Sequence, residues 1–143
     1  MKHIQVLKPK YRVDECLSEI KECLDIGWTG MGYKTIEFEN QWKKYTGLNH
    51  AHFLNSASAG LHLAVKILKE KHKWQDDDEI ITTPLTFIST NHSIVYENLK
   101  ACFADIDDSL NLNPQSVIKK INKKTKAIIF VGIGGNTKNL IEI

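Results

Sequence analysis

The hydrophobic pattern divides the chain into a helical first third and a remainder in which short apolar strands alternate with helices. Apolar residues recur at helical spacing over 13–24 and over 36–45, and glycines follow both runs. Beyond residue 50 the pattern predicts short apolar strands at 51–54, 79–83, 100–106 and 126–131. Apolar strands with helical crossovers between them indicate an α/β fold, with three layers α/β/α and a mostly parallel sheet.

Further helices are predicted between these strands. One covers 58–71, one covers 89–98, and a third begins at Asn113-Pro114, because proline fits the first turn of a helix. After the last strand the chain runs GIGGNTKNLIEI, in which another helix is predicted to begin. We therefore expect residues 1–143 to form one incomplete domain, with the remainder C-terminal to Ile143.

The composition excludes several classes of protein. Hydrophobic residues make up 42% and charged residues 25%, and the net charge is +2 without a basic stripe. No apolar run is long enough to cross a membrane, and no signal segment is visible. We expect a cytoplasmic protein without membrane or nucleic-acid partners. Cys16 and Cys23 share a helix face and are expected to be buried as small hydrophobic residues.

The stretch FLNSASAGLHLAV, residues 53–65, is the first candidate for chemistry. A predicted strand turns through small residues into a helix, whose first backbone N–H groups are left unpaired and attract an anion. Ser56 and Ser58 can add hydroxyl donors. Simple helix capping by either serine explains the same residues, and the local pattern leaves both interpretations open.

Other polar segments are weaker candidates. GIGGNTK, residues 132–138, follows a strand, but no glycine adjoins its lysine and Thr137 stands before Lys138, so nucleotide binding is a minor hypothesis. His50, His52 and His62 could form part of a metal site, but no nearby cysteine, aspartate or glutamate completes the set of ligands. We therefore expect no metal. The acidic run 76–79 is interpreted as a solvated turn. Trp42 is interpreted as a core residue.

Four segments together resemble the sugar aminotransferases of the DegT/StrS type, in order and at the family's spacing. They are GWTGMGYKTIEFENQW, NSASAGLHLAVKIL, DDEIITTPLTFISTNHSIVYENLKACFADID and LNPQSVIKKINKKTKAIIFVGIGGN. The resemblance implies the N-terminal portion of the large domain of a fold-type-I, pyridoxal phosphate (PLP) dependent enzyme. Such enzymes are homodimers that move an amino group, usually from glutamate, to a keto sugar carried on a nucleotide.

The resemblance also implies roles for individual residues. Ser56, Ala57 and Ser58 fall on the turn that holds the PLP phosphate, with Ser58 where threonine is usual. Phe87 falls on the aromatic position that stacks against the pyridine ring. A further set falls on the glycine-rich segment that lines the mouth of the active site and contacts substrate: Trp28, Thr29 and Gly30.

The chain departs from the family pattern in several places. Met31-Gly32 stands where Gly-Pro is common, Gly132 where histidine is usual, and 136–139 where Gln-Pro-Ala-Asp is expected. The resemblance places the Schiff-base lysine and the aspartate of the pyridine nitrogen beyond residue 143, so no catalytic residue is assigned and the chain alone is expected to be inactive. A non-catalytic remnant or binding module, and a sugar dehydratase of the same family, remain as alternatives.

Overall fold

The computed structural model describes residues 8–28 and 30–143. These residues form two compact units, a helical unit that ends at Phe53 and an α/β unit from Leu54 to Ile143. In the described part of the chain, no helix is both long enough and apolar enough to span a membrane.

The helical unit contains the two helices that the sequence predicts. Helix α1 covers Val13–Ile26 and helix α2 covers Tyr33–Thr46, and each ends at a glycine. The two helices are joined by polar contacts. The Tyr33 hydroxyl donates to Glu22 at 3.1 Å, and Lys34 forms ion pairs with Glu19 and Glu22.

The apolar side chains of this unit are more exposed than the sequence predicts. Neither helix has a buried residue. Cys16 is exposed and Cys23 is half-buried, so the prediction of two buried cysteines is wrong. Trp42 is 47% exposed and stacks on Phe38 with ring centroids 6.3 Å apart, so it is not a core residue of this unit.

The α/β unit is built on a parallel sheet of three strands. Strand β1 covers Glu79–Thr82, β2 covers Lys100–Phe103, and β3 covers Thr125–Ile128, in the spatial order β2-β1-β3. Three helices accompany the sheet: α3 over Ala57–His72, α4 over Ile88–Val95 and α5 over Pro114–Lys120. This confirms the predicted α/β class with a parallel sheet.

Both faces of the sheet are covered, as the three-layer prediction requires. Ile80 and Ile81 are consecutive in the central strand β1 and are 1% and 0% exposed. Because successive strand residues point to opposite faces, each lies in a different core. Ile80 belongs to the cluster of α3 and α4, with Val65 and Ile94, whereas Ile81 belongs to the cluster that contains Val117 of α5.

Two local predictions are wrong and a third holds only in part. Residues 51–54 are not a strand, since they pair with none of the described strands. The acidic run forms an exposed turn at Asp76 and Asp77, as predicted, but Asp78 is only 8% exposed, and its carboxylate accepts from the Gln75 amide at 2.8 Å. After β3, the expected helix is replaced by a short 3₁₀ turn over Ile133–Gly135 and further turns.

Candidate functional site

The small-residue corner lies at the N-terminus of α3, in the α/β unit. Ser56 is the N-cap, and its Oγ accepts from the Ala59 amide at 3.2 Å. The capping interpretation is therefore confirmed, but it uses only one of the free amides of the first turn. The amides of Ala57 and Ser58 have no acceptor among the described residues. Capping by Ser56 and binding of an anion by the two following amides are thus compatible.

The side chains around these amides leave the corner accessible. Ser56, Ala57 and Ser58 are all exposed, and their side chains are small: a methyl group in alanine and a hydroxymethyl group in each serine. The first turn of α3 contains no acidic residue. The positive end of the helix dipole is therefore not neutralised locally, which favours an anion such as a phosphate group.

Phe87 occupies a second helix start in the same unit. It is the N-cap residue of α4, at the end of the loop that follows β1, and its side chain is 77% exposed. Ligands of parallel α/β sheets bind beyond the carboxyl ends of the strands, and this loop leaves the carboxyl end of the central strand. An exposed aromatic face at such a position is suited to cover a flat ring.

A buried polar network beneath this loop was missed by the sequence reasoning. Thr82 and Thr83 are buried at the end of β1, and Thr90 is buried in α4. The Thr82 hydroxyl donates to the Asn91 side chain at 3.0 Å, and the Asn91 amide group donates to the Thr83 carbonyl at 3.2 Å. The signal in the sequence is the density of threonine and asparagine in TTPLTFISTN, an unusual composition for a buried strand end.

A polar contact also joins α3 to the end of α4. His62 Nε2 lies 2.6 Å from Glu97 Oε1, and Lys69 donates to the Glu97 carbonyl at 2.6 Å. His62 thus has an acidic partner 35 positions away, which local spacing could not reveal. No group of three histidine, cysteine or acidic residues capable of holding a metal occurs among the residues described. The contact fixes α3 against α4 and is structural in character.

The loop after β3 has no room for the histidine that is usual in the resembled family. A Cβ atom built on Gly132 would lie 2.8 Å from the Asn136 carbonyl oxygen. Asn136 in turn donates to the Ser109 carbonyl at 3.0 Å, and Asn139 donates to the Asp107 carboxylate at 2.9 Å. The departures from the family pattern at 132 and at 136–139 are therefore linked. The side-chain amides of Asn136 and Asn139 hold the loop in a position where the Asn136 backbone lies against Gly132.

The ionised Asp107 carboxylate accepts hydrogen bonds in this loop, and the stability of the fold should therefore fall in acid. Hydrogen bonds from Ser109 and Asn139 lower its pKa from 3.8 to about 2. The folded-state pKa is depressed, so the stabilisation is complete above about pH 3.8 and is lost as the pH falls towards about 2. We expect Asp107→Asn to flatten the pH dependence of the unfolding midpoint within this window. Urea titrations between pH 2 and 5 measure this midpoint. Asp108→Asn, at an exposed neighbouring position, is the control. Equal slopes of the midpoint against pH in the unsubstituted protein and both variants would contradict the assignment.

The remaining predicted residues lie in the helical unit, between α1 and α2. Trp28 donates its indole N–H to the Met31 carbonyl at 3.1 Å, and Gly30 and Trp28 line a mainly apolar pocket of about 400 Å³. A Cβ on Gly32 would come 2.4 Å from the indole nitrogen, so a larger residue there would displace the Trp28 ring from this position. Lys34 borders the pocket, and its hydrogen bond to Glu19 raises its pKa. Thr29 lies outside the described residues.

Known proteins are similar to this chain in both sequence and structure. The spore coat polysaccharide biosynthesis protein SpsC of Bacillus subtilis is 36% identical over 124 residues, which cover 86% of this chain and 31% of SpsC. The Escherichia coli GDP-4-keto-6-deoxy-D-mannose-3-dehydratase with bound hydrated PLP is 27% identical, with a TM-score of 0.83 over 95% of this chain and 35% of that one.

A third similar protein is PseC of Helicobacter pylori, an aminotransferase involved in the biosynthesis of pseudoaminic acid. It is 26% identical, with a TM-score of 0.79 over 96% of this chain and 35% of PseC. The chain spans about a third of the length of the curated relatives it matches. Its match to the family reaches from residue 11 to residue 143, and the chain therefore belongs to the DegT/DnrJ/EryC1/StrS aminotransferase family.

Proposed function

We propose that the full-length protein is a PLP-dependent enzyme that moves an amino group from glutamate, or a similar donor, to a nucleotide-linked keto sugar. Residues 1–143 are then the N-terminal portion of its large domain. The observation that carries the proposal is the corner at the start of α3, where the amides of Ala57 and Ser58 stay free although Ser56 caps the helix. Family membership and the similarity to the aminotransferase PseC support it.

In this proposal the corner holds the PLP phosphate. The free amides of Ala57 and Ser58 donate to phosphate oxygens, and the Ser58 hydroxyl adds a donor. The dipole of α3, a helix of 16 residues, favours the negative charge. The Phe87 ring covers one face of the cofactor ring, which restricts its tilt and excludes water from that side. PLP, when bound, supplies an electron sink through which an amino group can be carried.

We assign no catalytic residue to the chain from 1 to 143. A lysine must hold the cofactor covalently and transfer the proton, and a carboxylate must keep the pyridine nitrogen protonated. By resemblance both side chains come from positions beyond residue 143, so the 143-residue polypeptide by itself should show no turnover. Two or three charge-assisted hydrogen bonds contribute roughly 1.5–3 kcal/mol each, against about 4–15 kcal/mol lost on association. It should also bind PLP weakly.

The proposal extends to the assembly and surroundings of the protein. We infer a homodimer in the cytoplasm that uses a nucleotide-sugar substrate and an amino-acid donor, with no metal, nucleic acid or membrane partner. Trp28, Thr29 and Gly30 are assigned to the mouth of the substrate site. The apolar pocket beside Trp28 and Gly30 supports this assignment, because an exposed indole offers a flat face to a nucleotide base or a sugar.

Two other functions are consistent with parts of the chain. The similarity to the E. coli dehydratase favours a sugar dehydratase of the same family, in which a histidine replaces the lysine. A non-catalytic remnant or binding module would keep the fold and lose the chemistry, but a decayed remnant gives no reason for the α3 corner to stay open. The identity of the residue at the lysine position distinguishes the first alternative from an aminotransferase.

The test is an assay of the purified full-length protein with PLP, glutamate and a nucleotide-linked 4-keto sugar. We expect an absorbance band of protein-bound PLP, formation of 2-oxoglutarate, and an amino sugar detected by mass spectrometry. Equal yields of 2-oxoglutarate and amino sugar establish the transfer. A deoxygenated sugar without an amino group would indicate the dehydratase, and absence of PLP binding would contradict both enzymes. The 143-residue chain serves as the inactive comparison.

A further inference from the structure

One side chain of α4 connects the Phe87 loop to the end of β1. Asn91 lies in the first turn of α4, and Thr82 is the last residue of β1 and fully buried. The Asn91 carboxamide oxygen accepts from Thr82 Oγ1 at 3.0 Å, and its nitrogen donates to the Thr83 carbonyl at 3.2 Å. Both ends of the carboxamide are therefore used, one on the strand and one on the first residue of the loop.

The rest of the loop is closed by bonds that stay within it or within α4. The Leu85 amide donates to Thr83 Oγ1 at 3.0 Å, and the Thr90 amide donates to the Phe87 carbonyl at 3.0 Å. The Thr86 hydroxyl donates to the Thr90 hydroxyl at 2.9 Å. These contacts shape the loop and start the helix, but they do not fix where the loop stands relative to the sheet. Packing of Ile94 with Ile80 holds α4 on the sheet, and the two contacts of Asn91 are the hydrogen bonds that join this region to the end of β1.

We propose that Asn91 is a positioning residue that fixes the Phe87 loop against the carboxyl end of β1. It sets the place of an aromatic ring that is 77% exposed and that packs on no other aromatic ring of the described residues. The assignment of that ring to the cofactor rests on the proposed function. The anchoring of the loop is independent of any cofactor.

The chemistry of the contacts requires an amide. A carboxamide both accepts from the Thr82 hydroxyl and donates to the Thr83 carbonyl, whereas an aspartate carboxylate can only accept. Asn91→Asp would place a charge beside the Thr83 carbonyl, and Asn91→Leu would leave both buried partners without a hydrogen bond. Of the two variants, Asn91→Leu preserves the volume without adding a charge, so it isolates the loss of hydrogen bonding.

The experiment is amide hydrogen exchange on the full-length protein with Asn91→Leu, Asn91→Asp and Thr82→Val. The readout is the exchange rate of the Leu85 and Thr90 amides divided by that of Ile81 in β1, so that a global loss of stability cancels. We expect the ratio to rise at least roughly fivefold to tenfold in Asn91→Leu, which loses two hydrogen bonds, and less in Thr82→Val, which loses one of them. Ser93→Ala is the control, because it removes a buried bond within α4, from Ser93 Oγ to the Thr90 carbonyl at 2.7 Å.

A ratio in Asn91→Leu that equals the ratio in Ser93→Ala would overturn the proposal. PLP affinity, measured on the same proteins, tests the consequence for the cofactor, and we expect it to fall about as much as the loop ratio rises. A looser loop with unchanged PLP affinity would mean that Asn91 anchors the loop but does not position the cofactor. If the unsubstituted protein does not bind PLP, the proposed function fails, and the exchange ratio still decides whether Asn91 holds the loop.

Discussion

Ser58→Asp is expected to reduce PLP affinity by a factor of about 100 or more while leaving the protein folded. A carboxylate about 4 Å from a bound phosphate repels it by about 4 kcal/mol for each unit of phosphate charge at an effective dielectric constant of 20. The same carboxylate lies in the first turn of α3, which has no acidic residue, and there it stabilises the helix by about 0.3–1 kcal/mol. Binding and stability should therefore change in opposite directions.

The measurement is a titration of the full-length protein with PLP, followed by absorbance, with thermal unfolding of the same samples. Ser58→Thr is the matched control, since it keeps the hydroxyl and adds no charge, and it should bind within about threefold of the unsubstituted protein. Ser56→Ala removes the cap and should cost about 1 kcal/mol of stability without the electrostatic penalty. If Ser58→Asp binds PLP as tightly as Ser58→Thr, the corner is a helix cap and not a phosphate site.

Ile81→Ala is expected to have the largest effect on stability, about 2–5 kcal/mol. Ile81 is 0% exposed in the central strand and packs in a cluster with Leu112 and Val117. The substitution removes buried methyl groups and leaves a cavity that a strand paired on both sides cannot close. Since small domains are stable by about 5–15 kcal/mol in total, a much lower urea concentration should be enough to unfold the variant.

Urea unfolding followed by circular dichroism measures this effect on the purified chain. Ile118→Ala, in α5 at a position 59% exposed, is the matched control and should change stability by less than about 0.5 kcal/mol. The slope of the free energy with urea should be the same in all three proteins, because the surface exposed on unfolding hardly changes. A loss below 1 kcal/mol for Ile81→Ala would indicate that the sheet is not the core of this unit.

Most of the regular elements could be predicted from the sequence because their signals are local. The period of apolar residues placed α1, α2 and α3, and Asn113-Pro114 marked the start of α5. The strands β1 and β2 lie within the predicted ranges and β3 begins one residue before its range, and all three are shorter than predicted. The apolar run at 51–54 failed because a strand needs a partner, and pairing is not a local property.

The candidate site divides in the same way. A serine cap at the start of α3 was one of two predicted interpretations of the small polar residues before an apolar helix, and the structure identifies Ser56 as the cap. The pair His62–Glu97 and the network of Thr82 and Asn91 did not follow, because each joins residues that only the fold brings together. Gly132 stood out in sequence as a departure from a family pattern, and the structure supplied its physical cause in the backbone of Asn136.

The sequence by itself determined the α/β class, the approximate places of the helices and of the three sheet strands, and a capped helix start in the small-residue stretch of Ser56 and Ser58. These depend on backbone preferences and apolar periods that act over a few residues. Only the tertiary structure decided which serine caps α3, that no other described residue covers the amides of Ala57 and Ser58, and that Asn91 bonds to the end of β1. Hydrogen bonds between elements depend on how the helices pack on the sheet, and no local pattern encodes that packing.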